Sequence, residues 1–354
     1  MAEKALPLDV PVYTVRLEPV GIDLEVREGE TVLNAAFRQG VALPHGCKEG
    51  QCSACKCILH DGDIELLKYS TFALSEIDRD TNHILLCRTI AYSDMQVELL
   101  NYDEELLSHA IPVRDYPGAI AEVEWLTHDI ARFAVDLETP MKFFAGQYAD
   151  ITVPAFNIMR SYSMASTPDR PDRLDFIIKR YPGGAFSALL DDKLEVGTPM
   201  IVKGPYGGCF RREHRSAPML LVGGGSGMSP LWSILNDQAT SGEPGRPIRL
   251  FYGARSRRDL FWLDRFAELT ERLPDFKFIP ALSAAESTDD WHGATGFIHD
   301  VVREALVEFD DLSDADAYSC GPPPLIDAVV PVLQIAGVEP ERMYFDKFTQ
   351  APLQ

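Results

Sequence analysis

The sequence lacks any run of eighteen apolar residues, so it predicts no membrane-spanning helix. Its first ten residues carry two acids and a proline where a secretory leader would place an apolar stretch, which predicts a cytoplasmic protein. Internal repeats and low-complexity segments are also missing, so neither a repeat array nor a disordered chain is expected. What remains is an ordinary globular protein.

Positive charge is scarce, since 33 Lys and Arg residues stand against 54 Asp and Glu, for a formal net charge of −21. Nucleic acids and anionic membranes are polyanions that this surface would repel, so neither is expected as a partner. Two interpretations of the acidic surface stay open. It either aids solubility alone or provides a face that docks a basic partner protein.

The 354 residues are too many for one enlarged core and suit two or three domains. Residues 1–102 combine strand-like runs, a helix and a cysteine-rich loop, and residues 103–113 form a polar linker. Residues 114–213 alternate as antiparallel strands, which predicts a barrel. Residues 214–354 alternate strand, helix and strand, which predicts a parallel α/β sheet.

Seven cysteines, an odd number, do not fit a secreted disulfide scaffold. Cys47, Cys52 and Cys55 have the spacing Cys-x4-Cys-x2-Cys, and Cys87 is a distant fourth cysteine. This arrangement is typical of plant-type [2Fe–2S] sites. Each iron needs two thiolates, and Gly46 and Gly50 allow the loop to curl so that its amides face the sulfides. A zinc site is the alternative, but zinc sites usually pair two short knuckles.

Other residues of this loop have weaker predictions. Cys57 follows Cys55 on a strand and is expected to be a buried core residue, not a ligand. Lys48, Glu49 and Lys56 are candidates for a docking rim around the cluster, and surface charge without a role is the alternative.

A strand near residue 160 carries the side chains that a flavin site requires. Arg160, Tyr162 and Ser163 offer a cation for the FAD pyrophosphate, an aromatic plane for the isoalloxazine and a hydroxyl near N5. Residues 183–187, Gly-Gly-Ala-Phe-Ser, are expected to open a helix whose free amides, with the Ser187 hydroxyl, bind a phosphate. Alone, either motif is weak, because a Tyr and an Arg in a strand are usually packing and surface residues.

A second glycine-rich segment, residues 223–230, follows a buried strand and precedes a helix. Its glycines let the backbone approach a dinucleotide, and the helix end favours the pyrophosphate charge. The full Gly-x-Gly-x-x-Gly fingerprint is not present, so the segment is only moderately specific. Cys320, followed by Gly-Pro-Pro, can pack against a nicotinamide beside the flavin, and a buried cysteine at a turn is the alternative.

With these motifs in this order, the chain resembles the reductase components of bacterial multicomponent oxygenases, within the ferredoxin–NADP reductase superfamily. The resemblance covers residues 12–348. It is nearest to the reductases of soluble diiron monooxygenases for methane, propane, alkenes or phenol. The cysteine loop, Leu-Leu-Cys-Arg-Thr at residues 85–89 and Tyr-Phe-Asp-Lys-Phe at residues 344–348 carry this preference.

The resemblance implies a multidomain α+β and α/β fold: a β-grasp ferredoxin domain, an antiparallel β-barrel FAD domain and a parallel-sheet, Rossmann-like NAD domain. The implied cluster ligands are Cys47, Cys52, Cys55 and Cys87. The residues implied to bind FAD are Arg160, Tyr162, Ser163, Gly184 and Ser187. Those implied to line the nicotinamide nucleotide are Gly224, Gly225, Gly227 and Cys320. The implied catalytic residues are Tyr162, Ser163 and Cys320.

The C-terminal motif is less informative. Phe345 or Phe348 is implied to come close to the flavin face. Asp346 stands where relatives commonly show Glu, so no role is predicted for its carboxylate. For the coenzyme, residues 253–259 offer arginines for an NADP phosphate but also Asp259, and the resemblance favours NADH.

The implied function is an NADH-dependent reductase that passes electrons from NADH to FAD, to the [2Fe–2S] cluster and then to a diiron hydroxylase component. One alternative is a reductase for a Rieske-type dioxygenase or another acceptor, such as a deoxysugar dehydratase, or a free-standing diaphorase. Another is a non-enzymatic iron–sulfur or zinc module that acts as a sensor, which would require the flavin and nucleotide motifs to be coincidental.

Overall fold

The computed structural model describes residues 10–108, 110–192, 194–241, 245–286 and 290–348. Residues 1–9, on which the leader argument depends, lie outside the described residues. The chain divides into two compact units, residues 1–114 with 204–207, and residues 115–203 with 208–354. Over the described ranges, no helix has both the length and the apolar character needed to cross a bilayer.

The first unit is a mixed sheet with short helices. Its elements are β1 (Val12–Glu18), β2 (Ile22–Arg27), α1 (Val32–Arg38), β3 (Lys56–Asp61), β4 (Ile64–Leu66), α2 (Glu76–Asp80), β5 (His83–Leu85), β6 (Thr89–Ala91), β7 (Met95–Leu99) and α3 (Glu104–Ser108). The sheet order is β2-β1-β7-β3-β5, and β4 pairs with β6. Of these pairs, β1 and β7 run parallel and the others antiparallel.

Helix α1 has the ends that its sequence predicts. The Thr31 side chain accepts a hydrogen bond from Asn34 N–H at 3.3 Å, and Gly40, at φ +74°, follows the last turn. Cys87 lies on a 3₁₀ turn, Leu86–Arg88, because β5 ends two residues earlier. One expectation needs correction, since the predicted polar linker contains the short helix α3.

The second unit begins with the predicted antiparallel sheet. Its elements are β8 (Arg114–Trp125), β9 (Ile130–Leu137), β10 (Tyr148–Val153), β11 (Ile158–Ser163), β12 (Arg173–Lys179), α4 (Leu189–Asp192) and β13 (Pro199–Tyr206). The order is β11-β10-β13-β8-β9-β12, and a bridge between Met164 and Phe176 brings the two end strands together. The inward side chains, among them Phe133 and Phe176 with stacked rings 5.1 Å apart, form one core.

The same unit continues with a fully parallel sheet in the order β17-β16-β15-β14-β18-β19. Its elements are β14 (Met219–Gly224), α5 (Met228–Ser241), β15 (Ile248–Ala254), α6 (Leu263–Arg272), β16 (Phe276–Leu282), β17 (Ala294–Thr295), α7 (Ile298–Ala305), β18 (Asp316–Gly321), α8 (Pro323–Ile335) and β19 (Met343–Lys347). The central strands β14 and β18 are buried at every residue, as a sheet covered on both faces requires.

This topology fixes where the nucleotide motifs meet. From β14 the chain proceeds outward to β15, β16 and β17, and then crosses to β18 on the other side of β14. The strand order therefore reverses beside β14, and ligands of open α/β sheets bind at the carboxyl ends of the strands at such a point. Gly223 pairs with Cys320 there, so the glycine-rich segment and the cysteine motif lie side by side.

Candidate functional site

The cysteine loop between α1 and β3 directs its amides toward sulfur. Cys47 Sγ accepts hydrogen bonds from Glu49 N–H at 3.4 Å and Gln51 N–H at 3.1 Å, and Cys52 Sγ accepts one from Cys47 N–H at 3.3 Å. Amides that surround a sulfur in this way favour the thiolate, which is the form that binds metal.

The four sulfurs form two pairs. A hydrogen bond from the Cys52 thiol, helped by the backbone amides, lowers the pKa of Cys47 to about 5. The corresponding bond from Cys87 lowers the pKa of Cys55. Two pairs of sulfur ligands suit a cluster of two irons, since each iron takes two thiolates from the protein. The donor set therefore fits a [2Fe–2S] cluster.

The two glycines of this loop serve different purposes. Gly50 has φ +72°, and a Cβ there would lie 2.8 Å from Arg88 Cγ and 2.9 Å from Tyr69 Cβ, so both conformation and space require glycine. Gly46 does not have a positive φ; its constraint is Cys52 Sγ, which would lie 3.0 Å from an added Cβ. Cys57 is completely buried on β3, as predicted for a core residue.

Strand β11 presents the predicted flavin side chains. Arg160 and Tyr162 share one side of the strand, and Ser163 is buried on the other. The half-buried Arg160 guanidinium donates to the Met159 carbonyl at 2.7 Å, and among the described residues it has no carboxylate partner. A half-buried cation of this kind fits a phosphate ligand. Tyr162 packs against Phe186, with ring centroids 4.9 Å apart, and burial raises its pKa.

Ser163 has a partner that the sequence did not predict. Its hydroxyl donates to Asp346 Oδ2 of β19 at 2.8 Å. The surrounding protein disfavours the charged carboxylate and raises the pKa of Asp346, and the Ser163 hydrogen bond opposes this shift. A role for this carboxylate was not predicted because 183 residues separate the two side chains and no local pattern connects them.

The expectation of a helix opening at residues 183–187 is wrong. Among the described residues the segment forms turns, with Ala188 N–H donating to Gly184 O at 3.0 Å, and helix α4 begins only at Leu189, two residues after Ser187. Ser187 Oγ accepts from Tyr181 N–H at 3.3 Å, and a Cβ at Gly184 would lie 2.5 Å from that oxygen. Gly184 and Ser187 are still predicted to bind FAD, but they lie in a turn and not at the start of a helix.

The glycines after β14 are required mainly by packing. A Cβ at Gly224 would lie 2.5 Å from Gly253 O, and one at Gly227 would collide with the Cys320 carbonyl oxygen. Gly225 has φ +56°, and a Cβ there would make only an ordinary contact with Ile130 Cδ1 at 3.8 Å, so its backbone conformation rather than packing requires glycine. The segment forms a 3₁₀ turn, Gly225–Gly227, that leads directly into α5.

Cys320 lies at the junction of these elements. It pairs in register with Asp346 on β19 and is completely buried. Its sulfur lies 3.6 Å from Cys209 Sγ, and burial raises the pKa of the Cys320 thiol well above its usual range. Within the second unit, the structure therefore brings together Ser163 and Cys320, which the sequence predicted, and Asp346 and Cys209, which it did not.

Asp259, in the loop that offers arginines for an NADP phosphate, has partners in its own turn. Asp259 Oδ2 accepts hydrogen bonds from Ser256 N–H at 3.0 Å and Ser256 Oγ at 2.9 Å. One oxygen of this carboxylate is therefore committed to capping its own turn. Arg255 is largely exposed, with its Nε 4.0 Å from Asp259 Oδ2.

Three family models match consecutive parts of the chain. A 2Fe-2S iron-sulfur cluster binding domain matches residues 15–92, an oxidoreductase FAD-binding domain residues 117–210, and an oxidoreductase NAD-binding domain residues 221–330. The three predicted cofactors and the predicted fold class are confirmed by these matches.

Similar proteins extend over nearly the whole chain. The reductase component of propane 2-monooxygenase from Gordonia sp. (strain TY-5) is 43% identical over 343 residues, covering 95% of this chain and 97% of the relative. The reductase component of phenol 2-monooxygenase from Pseudomonas sp. (strain CF600) is 36% identical over 341 residues, covering 96% and 95%. The crystal structure of an Amycolatopsis cytochrome P450 reductase has a TM-score of 0.85 at 31% identity, covering 96% of this chain and 99% of that chain.

Proposed function

Because the chain belongs to the reductase components of bacterial monooxygenases, we propose that its electron acceptor is the diiron hydroxylase component of a soluble monooxygenase. The protein is an NADH:acceptor oxidoreductase with FAD and a [2Fe–2S] cluster. When bound, these groups allow the two electrons of a hydride to leave the protein one at a time. The observation that carries the proposal is the presence of all three cofactor modules on one chain, together with 43% identity to a propane monooxygenase reductase component.

The proposed residue roles follow from the geometry. The sulfur pairs Cys47 with Cys52 and Cys55 with Cys87 hold the two irons, and the loop amides stabilise the thiolates. The Arg160 guanidinium binds the FAD pyrophosphate, while Tyr162 and Ser163 contact the ring system. In this proposal, Gly184 and Ser187 complete the flavin site.

The proposed nucleotide site lies at the carboxyl ends of β14 and β18. Gly225 lines the nucleotide, and Gly224 and Gly227 allow the turn to pack against neighbouring backbone. The neutral, buried Cys320 thiol provides an apolar surface against which a nicotinamide can pack. The proposed domains are residues 1–102, 114–213 and 214–354. The proposed location is the cytoplasm, because a cluster of cysteines without disulfides is typical of a reducing compartment.

The acceptor is tested by reconstitution. The purified reductase is mixed with NADH and, separately, with a diiron hydroxylase component, a cytochrome P450 and a Rieske oxygenase. Hydroxylation coupled to NADH is expected only with the diiron component. The P450 outcome is a specific alternative, because a P450 reductase has the same fold at 31% identity. Efficient coupling to the P450 or the Rieske protein would disprove the diiron assignment while leaving the reductase function intact.

Coenzyme preference is measured separately. The kcat/KM for NADH is expected to exceed that for NADPH, since the chain resembles NADH-dependent reductases. A preference for NADPH would contradict this assignment and would point to Arg255 and its neighbours as a phosphate site.

A further inference from the structure

At the seam between β11 and β12, a side chain from another element hydrogen-bonds to the backbone of both strands. Ala165 N–H donates to Asp175 O at 2.7 Å, which places these two residues opposite each other. Hydrogen-bonded pairs of an antiparallel ladder recur at every second residue, so Ser163 and Ile177 form the next such pair. In a regular ladder, Ile177 N–H would donate directly to the Ser163 carbonyl oxygen.

The Ser229 side chain of helix α5 hydrogen-bonds to both groups of this pair. Ile177 N–H donates to Ser229 Oγ at 3.3 Å, and the Ser229 hydroxyl donates to Ser163 O at 2.7 Å. A hydroxyl can accept and donate at once, so Ser229 satisfies both backbone groups. Ser229 is completely buried, which makes its hydroxyl a built part of the seam rather than a surface contact.

This bridge connects the two candidate sites of the second unit. Ser229 is the second residue of α5, directly after the Gly225–Gly227 turn that is the proposed nucleotide site. Ser163, the proposed flavin contact, is held on both sides, because its carbonyl accepts from Ser229 and its hydroxyl donates to Asp346. The position of Ser163 is therefore set by elements of the parallel sheet as well as by its own strand.

We infer that Ser229 is a positioning residue for hydride transfer, which fixes Ser163 and the end of β11 relative to the nucleotide-binding turn. The inference rests on the proposed flavin and nucleotide sites. Its physical basis is that reactions between bound partners are sensitive to displacements of about 1 Å, which cost up to about a hundredfold in rate. Loss of the Ser229 hydroxyl removes one hydrogen bond from Ile177 N–H and one from the Ser163 carbonyl, which lets Ser163 shift.

The test variant is Ser229→Ala, and the matched control is Ser233→Ala. Ser233 lies one turn further along α5, is also completely buried, and donates to the Ser166 carbonyl at 2.6 Å, but it does not bridge the seam. Both variants lose one buried hydroxyl, so a merely structural effect would be similar in the two. Should Ser229→Ala fail to retain flavin, Ser229→Cys replaces it, because a thiol has a similar shape and is a weaker hydrogen-bond partner.

Flavin reduction by NADH is followed in single turnovers, with normal NADH and with NADH deuterated at the transferred position. Ser229→Ala is expected to slow reduction at saturating NADH by about tenfold to a hundredfold, with an undiminished isotope effect. Ser233→Ala is expected to stay within about twofold of the wild type. Amide hydrogen exchange of the peptide that contains Ile177, measured without NADH, is expected to accelerate only in the Ser229 variant.

Equal rates for Ser229→Ala and the wild type, or equal losses in both serine variants, would overturn the positioning role. Unchanged exchange at Ile177 in Ser229→Ala would show that the bridge does not hold the seam. The proposed function is judged independently by the wild-type protein. If the wild type does not reduce its flavin with NADH, the proposed function fails, whatever the variants do.

Discussion

Replacing Cys52 by Ser separates electron entry from electron exit. Cys52 is exposed in its loop, so the change removes little packing, but it removes one of the four sulfurs. A flavin stores two electrons and a [2Fe–2S] cluster one, so the wild type is expected to consume about 1.5 equivalents of NADH at full reduction. The variant, with flavin alone, is expected to consume about one.

The assay is an anaerobic NADH titration followed by absorbance, with iron analysis and reduction of a small dye. Cys52→Ser is expected to lose cluster absorbance and reduction of the oxygenase partner, while NADH-to-dye activity continues. The matched control is Cys57→Ala. Cys57 is completely buried, so its truncation is expected to cost about 1 kcal/mol of unfolding free energy and to leave the iron content unchanged.

Two results would refute this reasoning. A folded Cys52→Ser protein that also loses dye reduction would show that electrons do not pass through the flavin before the cluster. Loss of iron from Cys57→Ala in a folded protein would show that the ligand assignment is wrong.

Three further outcomes are expected. Arg160→Ala should weaken FAD binding by about tenfold to a hundredfold, since a charge-assisted hydrogen bond contributes about 1.5–3 kcal/mol. Fluorescence titration of the apoprotein measures the FAD affinity, and an unchanged affinity would contradict the pyrophosphate role. Because the pKa of Asp346 is raised in the fold, its contribution to stability is complete below about pH 3.9 and is lost as pH rises through the native pKa. Asp346→Asn should therefore gain stability relative to the wild type as pH rises above about 3.9 in urea unfolding, and parallel curves would disprove it. Asp316→Asn should lower the free energy of unfolding by about 3–5 kcal/mol in the same assay, because Asp316 is completely buried and the change leaves the buried Arg246 guanidinium without its carboxylate. A decrease below about 1 kcal/mol would show that the ion pair is dispensable.

Local patterns in the sequence were sufficient for much of the fold. The capping residue Thr31 and the stop at Gly40 bound α1, and the flavin side chains were predicted on a strand, which is β11 in the structure. The cysteine spacing predicted ligands whose sulfurs lie together in the structure. These features depend on neighbours a few residues apart, which a linear pattern records directly.

Local patterns failed where short segments were read without their surroundings. The 183–187 segment has glycines and a serine that suit a helix start, but the chain makes turns there and helix α4 begins only at Leu189. Similarly, Gly227 suggested room for a ligand, whereas the carbonyl of Cys320 occupies that space. In both cases the deciding contact comes from backbone that the local sequence does not specify.

The sequence by itself determined the three cofactor modules and their order, and it predicted the four cysteine ligands, because each depends on residue type and short spacing. Only the tertiary structure decided that Asp346 meets Ser163 and that Ser229 enters the barrel seam. Those contacts join residues 183 and 66 positions apart. They form only after two sheets pack together, and the free energy of that packing belongs to the whole core rather than to any local pattern.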